Sequence, residues 1–282
     1  MIVIGELINC ARKSIRERTE QRDAAYIRDV ALRQVEAGAH MLDVNGGIPR
    51  QEAESLEWLV NVVQDTVDVP LCLDSSDPGA LERALTLCRQ PPMINSITEE
   101  PERIAALLPL VKKSGLKVIA LCISESGPAT GVEARLATAR RLIDLLAAEG
   151  VPLADIYVDP CAMPLGAGPE EVEAVLEVIP RIMAEYPGVH TSVGVSNVSF
   201  GLPARKLLNR VYLPLLMARG LDAVVVDPCD RQIMMNIIAA EALLGRDEFC
   251  MEYLRAFRQG KLEPIPVGGG GPQHPAAPEP RE

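Results

Sequence analysis

One short apolar run after another in this chain finishes on a carboxylate or a carboxamide. "PLCLD" ends on Asp74, "PMIN" on Asn95, "DIYVD" on Asp159, "HTSVGVSN" on Ser196 and Asn197, and "DAVVVD" on Asp227. Glu6 and Asn9 follow "IVIG", Asp43 and Asn45 belong to "HMLDVN", and Ser124 follows "KVIALC". An ionised Asp accepts two donors side by side, while Asn both donates and accepts, so a set of them on one rim suits a flat heterocycle rich in amino and N–H groups. A reduced pterin has that pattern. Two other readings stand beside it. Asp43, Asp74 and Asp159 could ligate a hard cation such as magnesium. Alternatively, each residue caps the helix that follows it, as Asp77 before "PGALERAL" and Thr98 before "EEPERI" are expected to do. Asp74 and Asn95, however, precede their helices by several residues, and caps alone do not explain five or six such groups.

The elements that would carry these residues follow from periodicity. Short β-branched runs at 2–5, 40–45, 70–74, 92–95, 117–122, 155–159, 190–197 and 222–227 alternate with amphipathic stretches such as 23–37, 101–113 and 131–148. Gly38, Gly115, Gly150, Gly188 and Gly220 stand where a helix must stop and turn back. Eight strands with intervening helices point to a (β/α)8 TIM barrel, which gathers its strand ends at one mouth. No GxGxxG follows the first strand, which argues against an open dinucleotide-binding sheet. The barrel domain is expected over 1–258 and a disordered Pro/Gly-rich tail over 259–282, with "DEFCMEYLRAF" as a terminal helix.

Composition narrows the chemistry. With 48% hydrophobic residues and only 3% aromatic, Leu, Val, Ile and Ala must fill the core. A net charge of −11 and no basic cluster argue against nucleic acid and anionic membranes as partners. No apolar segment has membrane-spanning length, and the N-terminus lacks a signal-peptide layout. Seven scattered cysteines without a CxxC pair disfavour disulfides and zinc, and a reducing cytoplasm is the expected compartment. Three histidines, His40, His190 and His274, leave little for a His-based triad or metal cage. The first two open apolar runs and are expected to be structural. Phosphate binding is disfavoured because no Gly-rich loop or convergent Arg/Lys set occurs at the strand ends.

The segments "GELIN", "GAHMLDVN", "PLCLDSS", "MINS", "YVDP" and "GVSNVS" resemble, in order, the pterin-binding family of dihydropteroate synthases and folate-dependent corrinoid methyltransferases. "LDVN" and "SNVSFGLPARKLLNR" resemble the methyltetrahydrofolate:corrinoid protein methyltransferases, and "VVVDPCDR" lacks the Arg–x–His of the synthases. With 282 residues and no cobalamin or homocysteine segment, a whole methionine synthase is not expected. Leu7 stands where the family often has Arg. The resemblance implies methyl transfer between N5 of tetrahydrofolate and the cobalt of a corrinoid (cobalamin) carried by a partner protein, with direction open and no bound metal of its own. It also implies that Asp159 accepts the pterin amino and adjacent N–H protons, and that Asp74 and Asn95 hold the opposite edge. Asn197 would lie beside the methyl-bearing nitrogen, with Glu6, Asp43, Asn45 and Ser196 as orienting groups. The alternatives are a dihydropteroate-synthase-like transferase and a non-catalytic folate-binding or corrinoid-docking scaffold. A homodimer is expected.

Overall fold

The computed structural model describes residues 1–112 and 115–263. Eight parallel strands close into a barrel: β1 Ile2–Asn9, β2 Met41–Asn45, β3 Leu71–Asp74, β4 Met93–Ile97, β5 Lys117–Leu121, β6 Ile156–Asp159, β7 His190–Gly194 and β8 Ala223–Val226. Each strand pairs with its neighbours in chain order, and β8 closes the ring against β1. Barrel strands are covered on both faces, so they read as continuous apolar runs. Ile4, Met41, Cys72, Met93, Ile119, Tyr157 and Ala223 pack together inside the ring. Outside it, the inner faces of the helices complete two larger apolar layers. Aliphatic side chains dominate both layers, as the scarcity of aromatics requires.

Helix boundaries follow local chemistry. Asp77 caps helix Pro78–Leu85 by accepting a hydrogen bond from the Gly79 N–H at 2.8 Å, with Pro78 in the first turn. The five expected stop glycines all take positive φ, for example 109° at Gly38. Thr98 does not cap its helix. Glu100 occupies the cap position before Pro101–Val111, and the Thr98 hydroxyl donates to the Glu100 carboxylate at 2.7 Å. The seventh strand is also shorter than expected. It ends at Gly194, and Val195–Asn197 form a 3-10 turn, so Ser196 and Asn197 stand off the strand. The terminal helix covers Met251–Arg258, and Arg231 then donates to the Gly260 carbonyl at 2.7 Å. The tail from Pro264 onward, including His274, lies outside the described residues, as does Lys113 of the expected 101–113 helix.

β1 is longer than the run 2–5 and shifts register between Gly5 and Ile8. Gln34, fully buried on helix Ala24–Glu36, fills the irregularity by accepting the Leu7 N–H at 2.9 Å. A Cβ on Gly5 would meet that Gln34 oxygen at 2.6 Å and a Leu42 methyl at 3.0 Å. The bulge therefore depends on glycine, and it sets the path of the strand into Glu6. Gly5→Ala should destabilise the barrel by about 1–3 kcal/mol through overpacking. Urea denaturation measures this, and an unchanged midpoint would show that Gln34 yields without cost.

Candidate active site

At four strand ends the Asp or Asn side chain folds onto its own backbone. Asn9 accepts from the Ala11 N–H at 2.8 Å, Asn45 from Gly47 at 2.9 Å, Asp159 from Cys161 at 2.8 Å and Asp227 from Cys229 at 2.9 Å. These are Asx turns, which release the chain from the strand two residues on. Their structural role is therefore turn formation rather than helix capping. The second oxygen or nitrogen of each side chain takes no part in the turn.

Asp43, Asp74 and Asn95 are held differently. Register sets Asn45 beside Asp74 and Asp74 beside Asn95 across β2, β3 and β4. The Asn95 amide donates to Asp43 Oδ1 at 3.1 Å, leaving its own carbonyl free of that bond. Asp43 is only 2% exposed. Burial, with the nearby Asp74 charge second, pushes its carboxyl well above the usual range against hydrogen bonds from Asn95 and Cys72. Asp74 is also raised by burial, against a hydrogen bond from Asn45 and the positive charge of Arg103. Burial lifts the Asp159 carboxyl to about 7, opposed by the Cys161 and Gly194 amides and by Arg135. Glu6 is raised by burial as well, although Arg12 bonds one of its oxygens at 2.7 Å and Ser196 the other at 3.0 Å.

A cavity of about 720 Å³ opens over this layer at the carboxyl ends of the strands, with Ile119 and Val225 contributing apolar wall. Glu6, Asp43, Asp74, Asn95, Asp159, Ser196 and Asn197 all line it. Asn45 does not, and its side chain bonds Asp74 instead. Ser124 is also displaced: it lies in a small ribbon, Ile123–Ser124 with Gly127–Pro128, and contacts the Ser126 hydroxyl at 2.9 Å. Asn197 is exposed on the rim, and a Cβ on Gly194 would come within 3.1 Å of its amide nitrogen. Among the described residues no group of three His, Cys, Asp or Glu side chains is disposed to hold a metal ion. Both described histidines belong to the opposite end of the barrel. His40 accepts the Val3 N–H at 3.0 Å, and His190 bonds Asp222 at 2.6 Å while stacking on Tyr157.

Reading strand ends missed the residues that brace this mouth. Arg205 donates to the Ser196 carbonyl at 2.7 Å and to the Ser199 hydroxyl at 3.1 Å, fixing the turn that carries Asn197. Arg103 donates at 2.8 Å to each of the Ser75, Ser76 and Ser96 carbonyls, tying the loop after β3 to the end of β4. Fully buried Arg135 reaches the Pro160 carbonyl at 2.7 Å and the Cys161 carbonyl at 3.3 Å, and pairs with Glu171 at 2.7 Å. All three come from helices. The four-residue spacing of Arg205 and Asn209, both on the cavity wall, was the available sequence signal.

Residues 5–227 match the pterin binding enzyme family. The chain is 38% identical over 268 residues to the methylcorrinoid:tetrahydrofolate methyltransferase of Eubacterium limosum, covering 94% of this chain and 99% of that relative. It is 32% identical over 255 residues to the methionine synthase of Mycobacterium tuberculosis, covering 86% of this chain and 21% of that longer protein. Among solved structures, Xanthomonas albilineans dihydropteroate synthase superposes with a TM-score of 0.67 at 19% identity, over 88% of this chain and 93% of its own. The Thermus thermophilus enzyme gives 0.65 at 19%, over 86% and 94%. At such identity the structural likeness speaks for the fold alone.

The raised Asp159 carboxyl has a consequence for stability. A carboxyl with a higher pKa folded than unfolded contributes most below its unfolded value, near 3.8, and loses that contribution as pH rises through about 7. The loss amounts to at most about 4 kcal/mol. Asp159→Asn, which keeps an acceptor for Cys161, should raise the melting temperature of the ligand-free protein at pH 8 and do so less at pH 5. Equal melting temperatures at pH 8 would mean that Asp159 is well solvated there.

Proposed function

The chain belongs to the pterin-binding enzyme family, and from that premise we propose that it transfers a methyl group between N5 of tetrahydrofolate and the cobalt of a corrinoid on a separate protein. The observation that carries this reading is the correspondence, end to end, with a relative named for that reaction. The mouth suits the substrate. A buried carboxyl at Asp159 accepts the amino and neighbouring N–H protons of the pterin, and Asp74 with Asn95 hold the opposite edge. Asn95 already spends its NH₂ on Asp43, so its carbonyl is the part offered to a ligand donor. Asp43 orients Asn95 and Asn45 orients Asp74 through the bonds described above, while the Ser196–Glu6 bond ties the turn that carries Asn197 to β1.

In the direction named for the relative, the N5 lone pair takes the methyl, the Co–C bond breaks with both electrons left on cobalt, and the N5 proton departs. The reverse direction returns a proton to N5, and the same groups lower the barrier both ways. Asn197 is the residue suited to that nitrogen. Its neutral amide donates or accepts as the charge on N5 changes, and its place on the exposed rim leaves the methyl open to the corrinoid protein. The chain itself contributes position and electrostatics, and the substrate cobalt contributes the redox-active centre.

The reading extends to one catalytic unit over residues 1–258, working in one-carbon metabolism in the cytoplasm, where its free thiols stay reduced. It also includes a homodimer. Leu207, Val211 and Leu215 form an exposed stripe along helix Arg205–Ala218, a face that a second copy could cover about a two-fold axis.

Two measurements test the site. Tetrahydrofolate affinity should fall about tenfold for each pH unit below 7, because the bound form requires ionised Asp159. Asp159→Asn should remove that dependence and cost about 2–3 kcal/mol of binding at pH 8. Calorimetry that finds the same pH profile in the variant would take Asp159 out of the pterin site. Asn197→Ala should slow single-turnover transfer, followed by cob(I)alamin absorbance, by about a hundredfold while changing Kd much less. A lower melting temperature with an unchanged transfer rate would make Asn197 a purely structural residue.

A further inference from the structure

Acceptors floor the mouth, but one side of its rim is built differently. Arg12, after β1, and Arg205 and Lys206, on helix Arg205–Ala218, also line the cavity, on a chain whose net charge is −11. Arg12 pairs with Glu6 at 2.7 Å. Arg205 donates only to the Ser196 carbonyl and the Ser199 hydroxyl, and among the described residues neither it nor Lys206 has an acidic partner. The acids nearby are otherwise engaged, Asp230 with Arg210 at 2.9 Å and one Asp227 oxygen in its turn. Both cations stand in the first turn of their helix, which holds no acidic residue. Positive charge there opposes the helix dipole, so helix stability does not explain the pair. Phe200 lines the same cavity while 67% exposed, with the Arg205 guanidinium 5.9 Å from its ring centroid. A lone exposed Phe needs no explanation by itself. Its position supplies one.

In tetrahydrofolate the ring atom next to N5 is C6, which carries the p-aminobenzoyl-glutamate arm. With Asn197 beside N5, the arm leaves the bicycle on the Asn197 side of the mouth. The Phe200 N–H donates to the Asn197 carbonyl at 3.1 Å, which closes a turn and sets the aromatic ring next to that exit. Arg205 lies against the ring, and Lys206 is the next residue. At about 720 Å³ the cavity has the size that takes a drug-sized ligand rather than a bicycle alone. Resting on the folate reading of the mouth, we propose that this side of the rim is a second subsite, in which Phe200 packs on the p-aminobenzoyl ring and Lys206, with Arg205, attracts the glutamate carboxylates. The two halves of the mouth then match the two halves of the ligand. Carboxyls take the donor-rich bicycle, while an exposed ring and two cations take the aryl and anionic end. The subsite makes the chain selective for folates over reduced pterins that lack the arm.

The test compares tetrahydrofolate with 6-methyltetrahydropterin, which lacks the arm, by calorimetry at low ionic strength on the full chain. The unaltered protein should bind tetrahydrofolate more tightly. Lys206→Glu should weaken tetrahydrofolate about tenfold and Phe200→Ala about fivefold, each leaving the pterin affinity unchanged. Both side chains are exposed, so melting temperatures should hold. Added salt should narrow the gap between the two ligands in the unaltered protein and do so less in Lys206→Glu. Equal affinity for the two ligands in the unaltered protein overturns the subsite and leaves the pterin reading intact. So does a variant that loses both ligands alike, because the turn carrying Asn197 has then moved. Unchanged tetrahydrofolate affinity in Lys206→Glu, with slower transfer to a corrinoid protein but not to free cob(I)alamin, assigns the cations to the protein partner and also overturns it. Binding of neither ligand by the unaltered protein overturns the folate reading and the subsite together.

Discussion

Closing eight parallel strands into a ring forces every carboxyl-terminal strand end onto one rim, and the remaining architecture follows from that constraint. The interior must be filled, which Ile4, Met41, Met93, Ile119 and Tyr157 accomplish. The outer face must be covered, which requires a helix after each strand and a chain reversal after each helix. At the rim neither apolar packing nor a continuing ladder is available to the backbone. Polar side chains collect there, and a cavity floored by the packed interior turns them toward one volume.

The polar rim is costly to keep buried. Asp43, Asp74, Asp159 and Glu6 all have carboxyls pushed toward protonation, with burial as the first cause in each case. An isolated group would relax by moving to water, but these are restrained. Asn95 bonds Asp43, Arg12 and Ser196 grip Glu6, and the turn amides hold Asp159. Arg135 supports the last of these from below by binding the carbonyls of Pro160 and Cys161. Keeping these carboxyls out of water costs the fold stability.

Structural and functional readings of the strand-end residues are compatible. Asn9, Asn45, Asp159 and Asp227 each close an Asx turn. One oxygen serves the backbone; in Asn9, Asp159 and Asp227 the rest of the group remains for the mouth, and in Asn45 it bonds Asp74. Small side chains with two polar atoms suit both tasks, which explains why Asp and Asn recur at these positions while longer Glu and Gln are scarce there. Bracing falls instead to the long arginines of the flanking helices, which span the distance from helix to loop.

The sequence by itself determined the barrel, its strand order and nine of the eleven strand-end residues that line the cavity or were expected to, because strand periodicity and the repeated stop glycines are local signals that closure does not override. Asp74, Asn95 and Asp159 were legible because a polar group at the end of an apolar run has no packing role. The tertiary structure alone decided the rest. It moved Asn197 off its strand onto a turn braced by Arg205, removed Ser124 from the mouth, and assigned the cap before Pro101 to Glu100 instead of Thr98. It also brought Arg103, Arg135 and Asn209 to the mouth from the flanking helices. Those placements depend on how helices dock around the ring. A polar residue on an amphipathic helix reads the same whether it faces water, a loop carbonyl or a cavity, and only the packed neighbour distinguishes the three.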